Sequence, residues 1–217
     1  MTFLKSDELS PLCEKMVHVA RVFVLFFATF ALLASSSSFS SEIPEDARAD
    51  ESIMRNQRAL GARITHDLRW NSRSATAKQI CSRNRHGAEW SGLFHRSSSF
   101  IDEVNRELDG GGGHVSFYDS AMHRPVFRVT KRPLFQFLDE SIKHGWPSFR
   151  VEDVVWENVR ILEDGEVVTI DGLHLGHNIP DAKGPRFCIN LVCVSGFPAE
   201  ERASSVVDGD EEGMLRR

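Results

Sequence analysis

The second half of the chain carries the pattern that most restricts its fold. Residues 159–162 and 167–170 are apolar, β-branched runs on either side of Asp164-Gly165. A dipeptide of this kind between two such runs is typical of a two-residue hairpin turn. Short apolar runs and turn residues recur from Val115 onward. The pattern therefore predicts a mainly β domain of roughly 110 residues, within the usual size of one domain.

Composition divides the chain into four segments. They are a targeting segment at residues 1–40, a polar linker or loose extension at 41–85, the folded domain at 86–197, and an acidic disordered tail at 198–217. The linker has mixed charge and neither a helical nor a strand period. Ser99, followed by first-turn acids, predicts a short helix to about Leu108, which the glycines at 110–113 end.

The targeting segment is assigned from its apolar run. Residues 22–34 are almost wholly apolar, with Lys15, His18 and Arg21 before them and a serine-rich stretch after them. This is the layout of a signal peptide, because a spanning helix needs about 20 apolar residues. A cleaved signal or an uncleaved signal anchor predicts the secretory pathway, with the protein secreted or in an endomembrane lumen. An organelle such as a plastid, reached by a bipartite signal, is an alternative that the acids of residues 42–51 oppose. A third interpretation is a cytosolic chain in which the apolar run has no targeting role.

The charge excludes one class of partner. The chain has 26 Lys and Arg against 31 Asp and Glu, a formal net charge of -5. Binding driven by phosphate needs a basic surplus or patch, and the only short basic run lies at residues 128–132. We therefore expect no nucleic-acid partner. Because 41% of the residues are apolar, a packed core is feasible, and we expect a monomer.

Residues 186–193 are predicted to form one strand with a thiol on its polar face. The side-chain period of two places Arg186, Cys188 and Asn190 together and turns the apolar residues to the other face. A neighbouring guanidinium favours the thiolate, which is the nucleophilic form of cysteine. Taken alone, however, a free cysteine is more often a small buried apolar residue.

Two further motifs precede this strand in the sequence. GWPSF at 145–149 is followed by HLGH at 174–177, with Asp181 four residues later, and then by RFCIN at 186–190. These segments resemble, in the same order, the GWPSF, HLGH-x-x-x-D and R-[YF]-C-I-N motifs of the B-type peptide-methionine (R)-S-oxide reductases, the SelR-domain family. The resemblance covers about residues 115–197.

The resemblance implies a fold, an activity and two residues that would contact the substrate. The implied fold is mainly β, with two antiparallel sheets of the β-tent kind and a short N-terminal helix. The implied reaction is thiol-dependent reduction of methionine (R)-sulfoxide, free or in proteins, in which Cys188 attacks the sulfoxide sulfur and becomes a sulfenic acid. Trp146 and Phe149 would bind the substrate, with Trp146 against its ε-methyl group. GAEWSG at 87–92 is similar to the family's entry strand and extends the resemblance to about residue 86.

The same resemblance assigns roles around the sulfoxide oxygen. His174 and His177 would donate or relay protons to the departing oxygen, and Asp181 would orient one imidazole. Asn190 would hold water or substrate, and Arg186 would stabilise the thiolate.

The chain departs from the family at the zinc cysteines. Most relatives hold a structural zinc with two C-x-x-C pairs, and this chain has neither. Asp119 and Met122 can be aligned with the first pair, although residues 127–130 are equally arguable. Val168 and Asp171 lie near the second pair. Because four thiolates are lacking, we predict no structural zinc and a divergent scaffold.

Turnover requires a second thiol to reduce the sulfenic acid. Cys193 would lie on the opposite face of the strand, roughly 16 Å from Cys188 at about 3.3 Å per residue. Cys81 in the extension is therefore the candidate resolving residue, with an incidental exposed cysteine as the alternative. We expect an external reductant, thioredoxin-like or a small thiol, and no cofactor.

Two other functions are compatible with these residues. One is a catalytically weakened β domain that binds oxidised methionine or another small polar ligand, since a fold can outlive its function. The other is a membrane-anchored or secreted interaction protein in which HLGH and Cys188 hold a metal, which would need three or four converging ligands. Retention of the nucleophile with both histidines, Arg186 and Asn190 favours the reductase.

Overall fold

The structure, a computed structural model, describes residues 42–83 and 85–199. The targeting segment expected at 1–40 lies outside these residues, as does nearly all of the acidic tail expected at 198–217. None of the helices in the described ranges combines the length and apolar character needed to cross a membrane.

Helices and strands alternate along the described chain. The α helices are α1 (Gln57–Arg63), α2 (Ser74–Ser82), α3 (Leu93–Arg96), α4 (Ser98–Asp109) and α5 (Leu134–His144). The strands are β1 (Val115–Tyr118), β2 (Pro125–Val129), β3 (Ser148–Phe149), β4 (Val159–Ile161), β5 (Glu166–Thr169), β6 (His174–Asn178) and β7 (Phe187–Ile189). With about 39% helix and 20% strand the fold is mixed α/β, so the prediction of a mainly β domain was wrong.

The strands form two antiparallel sheets, as expected. One sheet pairs β1 with β2, and the other has five strands in the order β3-β7-β6-β5-β4. Strand β7, which carries Cys188, therefore lies between β3 and β6. Phenylalanine rings fill the core below, among them Phe117, Phe137 and Phe149.

The predicted hairpin forms as β4 and β5, but its turn is longer than two residues. The N–H of Gly165 donates to the carbonyl of Leu162 at 2.9 Å, and the N–H of Leu162 donates to the carbonyl of Glu166 at 2.9 Å. Gly165 has a φ of 88°, in the left-handed region. This is the arrangement of a turn followed by a glycine bulge, in which the glycine takes the left-handed position.

The helix predicted with Ser99 as its N-cap is confirmed as α4, which begins two residues earlier. Ser97 is its N-cap, and the side chain accepts a hydrogen bond from the N–H of Phe100. Helix α5 was not predicted, although it ends at the first residue of GWPSF. Gly145 has a φ of 86° and terminates α5, since glycine adopts this backbone conformation without steric cost.

Residues 42–83 are not a linker, contrary to the sequence prediction. Helices α1 and α2 bury Leu60, Ile80 and Cys81 in the same core as the sheets. These helices have only seven and nine residues, too few to show a sustained period of 3.6. The N-terminal helices are therefore a layer of the folded domain.

Cys81 is not a free resolving thiol, because it forms a disulfide with Cys193. The two Cα atoms are 5.7 Å apart, and both residues are fully buried. The predicted strand also ends early: β7 stops at Ile189, and Leu191–Cys193 forms a 3-10 turn. The disulfide thus connects α2 to the turn that follows the nucleophile strand.

Removal of this disulfide is expected to destabilise the domain. The bond closes a loop with a sequence separation of 112, and the loss of unfolded-chain entropy for a loop of this length corresponds to about 5 kcal/mol. We therefore expect the Cys81→Ala/Cys193→Ala variant to lose about that unfolding free energy in urea titrations under non-reducing conditions. Cys188→Ala is the control, since it removes a thiol outside the disulfide. Equal urea midpoints for the wild type and the double variant would contradict the prediction.

Candidate functional site

One residue from each of four neighbouring strands forms a row across the five-stranded sheet. Ser148 pairs with Cys188, Cys188 pairs with His177, and His177 pairs with Glu166. Directly opposed residues in antiparallel strands present their side chains on the same face. The predicted nucleophile therefore has a histidine as its cross-strand neighbour.

A bulge brings the second histidine to this face. Regular alternation would place His174 and His177 on opposite faces, because they are three residues apart. In the β5–β6 pairing, however, Val167 opposes Gly176 and Val168 opposes His174, so Leu175 is the extra residue. The two imidazole centroids are 5.3 Å apart.

Glu166, rather than Asp181, orients an imidazole. His174 Nδ1 lies 2.7 Å from Glu166 Oε1, and both side chains are fully buried. Because a carboxylate only accepts, this contact assigns the proton to Nδ1 and leaves Nε2 as an acceptor. His174 Nε2 is 3.4 Å from the side-chain amide nitrogen of Asn190. His174 and Asn190 are therefore buried side by side, next to the row of residues that includes Cys188 and His177.

The N-terminal layer completes this network. Arg85 Nε donates to Glu166 Oε2 at 2.6 Å, and its Nη1 donates to Glu51 at 2.9 Å. His174 and Arg85 hold the pKa of Glu166 below its usual value despite burial. Part of the segment predicted to be a linker therefore supports the site.

Asp181 binds guanidinium groups instead of an imidazole. Arg150 Nη2 donates to Asp181 Oδ2 at 2.7 Å, and this bond holds the pKa of Asp181 well below its usual range. Arg186 Nε lies 3.6 Å from the same oxygen. Asp181 is thus placed to position Arg186.

One group of three potential metal ligands occurs among the described residues, and Asp181 is one of its members. Glu140, His144 and Asp181 have ligand atoms within 4.8 Å of one another. Both carboxylates already bind guanidinium groups, of Arg132 for Glu140 and of Arg150 for Asp181, which compete with a cation. The group includes neither Cys188 nor the HLGH histidines, so it does not support the metal-holding alternative.

An ion pair connects the places where the zinc cysteines were expected. Asp119 accepts hydrogen bonds from the N–H groups of Met122 and Arg124. Arg124 Nη1 then donates to Asp171 Oδ2 at 2.6 Å. The alternative alignment at 127–130 overlaps β2, so Asp119 and Met122 match the position of a turn better.

Cys188 is half-buried beside a buried cation. Burial raises the pKa of the Cys188 thiol, the nearby Glu89 raises it further, and the charge of Arg186 opposes the rise. Arg186 is 6% exposed, and its Nε and Nη1 have no hydrogen-bond partner among the described residues. The guanidinium can therefore bind an anion or a developing negative charge next to the sulfur.

Loss of this cation is expected to raise the thiol pKa further. Alkylation of wild-type Cys188 by iodoacetamide should increase with pH through a pKa above the ordinary cysteine value, since only the thiolate reacts. In Arg186→Met the midpoint should move upward, and alkylation at neutral pH should fall about tenfold because a neighbouring positive charge is lost. Arg186→Lys, which keeps the charge, should retain most of the reactivity. Identical pH profiles for the Met variant and the wild type would show that Arg186 has no influence on the thiol.

His177 is neutral at neutral pH. Burial, together with the charge of His174, lowers the pKa of His177 below its usual value. Because the thiol pKa is raised, the resting pair is a thiol and a neutral imidazole. One proton transfer from Cys188 to His177 would produce the thiolate and the acid at the same time.

Glu89 was not singled out as a functional residue from the sequence, although it lies in GAEWSG. Its carboxylate accepts from the N–H groups of Leu191 and Val192, and its own N–H donates to Asn190 Oδ1 at 3.0 Å. Burial raises the pKa of Glu89 to about 7. Trp146 Nε1 donates to the Glu89 carbonyl at 3.1 Å. Glu89 therefore holds both Asn190 and Trp146, the residue predicted to contact the substrate.

Phe149 is a core residue, so its predicted role in substrate binding is not supported. It is fully buried and stacks on Phe127 with ring centroids 4.2 Å apart. Its strand neighbour Ser148 pairs with Cys188, and the period of two turns Phe149 to the opposite face. Trp146 is partly exposed.

Comparison with known proteins adds no family. Neither the models of protein families nor the curated proteins include a match to this chain. The chemistry of the site is therefore derived from its own residues.

Proposed function

We propose that the chain is a thiol-dependent reductase of methionine (R)-sulfoxide on a divergent scaffold of the β-tent kind. The observation that carries the proposal is the direct cross-strand pairing of Cys188 with His177, beside the buried Asn190–His174–Glu166 network. A half-buried thiol next to an imidazole is the arrangement that nucleophilic catalysis requires.

The reaction begins with transfer of the Cys188 proton to His177. The thiolate attacks the sulfoxide sulfur, the sulfur–oxygen bond breaks, and the oxygen ends on Cys188 as a sulfenic acid while methionine is released. His177 returns the proton to the oxygen during transfer. Arg186, whose Nε and Nη1 have no hydrogen-bond partner among the described residues, is the side chain available to stabilise the oxygen as it gains negative charge. The amide of Asn190 already donates to His174 and to the carbonyl of Leu175. Two electrons pass from Cys188 to the substrate sulfur, and the proton count is unchanged.

The sulfenic acid of Cys188 is reduced by an external thiol. With Cys81 and Cys193 joined, Cys188 is the one free cysteine in the described part of the chain. Two equivalents of an external thiol convert the sulfenic acid back to the thiol, releasing water and a disulfide. A thioredoxin-like protein or a small thiol is the proposed reductant, and no cofactor takes part in this step.

The disulfide supports the proposed secretory location. Disulfides form and persist mainly in oxidising compartments such as the secretory lumen or the cell exterior. A buried bond of this kind agrees with a chain that begins with a signal peptide or signal anchor. The substrate there is methionine sulfoxide, free or within proteins.

The proposal is tested by incubating the full chain with each sulfoxide epimer of N-acetylmethionine amide and dithiothreitol. We expect consumption of the R epimer alone, together with dimedone labelling of Cys188 when substrate is added without reductant. Reduction of neither epimer would refute the activity. Selective reduction of the S epimer would refute the stereochemistry, and labelling elsewhere would refute the nucleophile.

One observation favours the second candidate, a domain that binds oxidised methionine without turnover. The raised pKa of Cys188 leaves little thiolate at neutral pH. Calorimetric titration with the R epimer in the absence of reductant distinguishes the two functions. Binding heat without sulfenic-acid formation would favour the binding domain.

A further inference from the structure

A cavity of about 860 Å³ lies between the N-terminal layer and the turn that follows β7. Its wall comes from residues 70–73, from one side of α2, from parts of 87–98 and from Leu191 and Val192. Neither Cys188 nor the HLGH histidines line it, so it is distinct from the proposed reductase site. Its volume is within the range of about 300–1,000 Å³ that is usual for small-molecule sites.

The interior of the cavity is mostly apolar. Trp70, Ile80 and Leu93 are among the lining residues, as is Trp90, which has 81% of its surface exposed. Trp90 is the most exposed of the large apolar residues in the described ranges. An apolar body can therefore be buried inside and covered by an indole.

The charged residues of the wall favour an anion. Arg73 and Arg96 are exposed and form no ion pair with another residue in the described part of the chain. The single acid in the lining, Glu89, is buried with its carboxylate already bound to two backbone N–H groups. Two available guanidinium groups beside an apolar interior are complementary to a molecule with one apolar body and one anionic group.

The backbone at this wall is also held in an unusual conformation. Trp70 and Asn71 have φ values of 61° and 55°, in the left-handed region, which asparagine tolerates but a bulky residue such as tryptophan seldom occupies. Packing fixes the first of them, since the Trp70 ring lies against Phe100 and its Nε1 donates to Glu103 at 2.8 Å. Strained backbone kept in place by surrounding packing is characteristic of ligand sites.

We propose that this cavity binds a small amphipathic carboxylate, with its alkyl or aromatic body against Trp70 and Ile80 and its anionic group between Arg73 and Arg96. The dimensions suit a small molecule better than a folded partner. The inference is independent of the reductase activity. Glu89 lines the cavity and also binds Asn190, so the ligand would contact a residue that holds part of the proposed reductase site in place.

Decanoate is the probe for this site. We expect calorimetric titration of the full chain to give saturable binding, and Ala75→Trp, which places an indole at an exposed position of the wall, to weaken it at least tenfold. Arg73→Glu and Arg96→Glu should each weaken binding several-fold. Arg128→Glu is the matched control, because Arg128 is exposed and lies on β2 outside the cavity lining.

The measurement requires no catalytic turnover, so it remains informative if the reductase proposal fails. Decanol should bind more weakly than decanoate. Equal affinity for the alcohol would overturn the anionic part of the proposal. Absence of saturable binding, or unchanged affinity in Ala75→Trp, would overturn the site, as would binding of an apolar peptide with higher affinity than any small carboxylate.

Discussion

A Cys188→Ser variant is expected to lose at least about 10⁴-fold in kcat/KM for methionine sulfoxide. The hydroxyl of serine stays protonated where a thiol ionises, and oxygen cannot take up the sulfoxide oxygen as a sulfenic acid. Losses of this order are known where the nucleophile of an interacting catalytic set is removed. The assay is dithiothreitol-dependent reduction of the R epimer, followed by quantification of the methionine released.

The same variant should leave the fold intact. Cys188 is half-buried and lies outside the disulfide, and serine is nearly the same size. The urea midpoint of Cys188→Ser should therefore stay close to that of the wild type. Retained activity in a folded variant would remove Cys188 from the mechanism. Lost activity together with a collapsed urea transition would require the comparison to be repeated with Cys188→Ala.

Local periodicity was sufficient for some elements of the fold and not for others. The hairpin and α4 were predicted because β-branched runs, Asp164-Gly165 and a serine N-cap act within a few residues. Helices α1 and α2 were missed because their stability comes from burial against the sheets and from the Cys81–Cys193 bond, which joins residues far apart in sequence. Tertiary packing of this kind leaves little trace in a polar, mixed-charge segment.

The site was predictable where it depends on alternation along one strand. The period of two places Cys188 and Asn190 on one side of the strand, and the structure pairs Cys188 with His177. The shared face of His174 and His177 depends on a bulge, which the spacing of HLGH alone does not specify. Glu166 could have been noticed as an acid directly before the predicted apolar run at 167–170. Its partner His174, however, is set by the register of two strands.

The second large effect is expected for Glu166→Gln. The carboxylate of Glu166 is fully buried and accepts a hydrogen bond from His174 Nδ1 on one oxygen and from Arg85 on the other. A glutamine side chain has one oxygen and one amide group, so either His174 or Arg85 would face a donor. Loss of one partner of a buried ion pair destabilises a protein by about 3–5 kcal/mol. We therefore expect both a lower urea midpoint and a fall in kcat/KM of about 100-fold, the size of loss that misplacement of a catalytic group by about 1 Å can cause.

Glu51→Gln is the matched control, since Glu51 binds Arg85 from the solvent side. The Glu51 side chain is 65% exposed, and exposed ion pairs contribute about 0–1 kcal/mol. This variant should keep its activity within about twofold and its urea midpoint nearly unchanged. Equal losses in the two variants would assign Glu166 a role only in holding Arg85.

A tautomer measurement separates orientation from simple destabilisation. In the wild type the Glu166 carboxylate keeps the proton of His174 on Nδ1, so that Nε2 faces the amide of Asn190 as an acceptor. In Glu166→Gln the glutamine can donate to Nδ1, and the proton should move to Nε2, where it opposes the N–H of Asn190. Nitrogen NMR of labelled histidine detects this exchange under conditions where the variant is folded. Asn190 directly follows β7 and also binds Glu89, so a shift of its side chain would disturb the end of the strand that carries Cys188. Activity should therefore fall even at temperatures well below the unfolding transition.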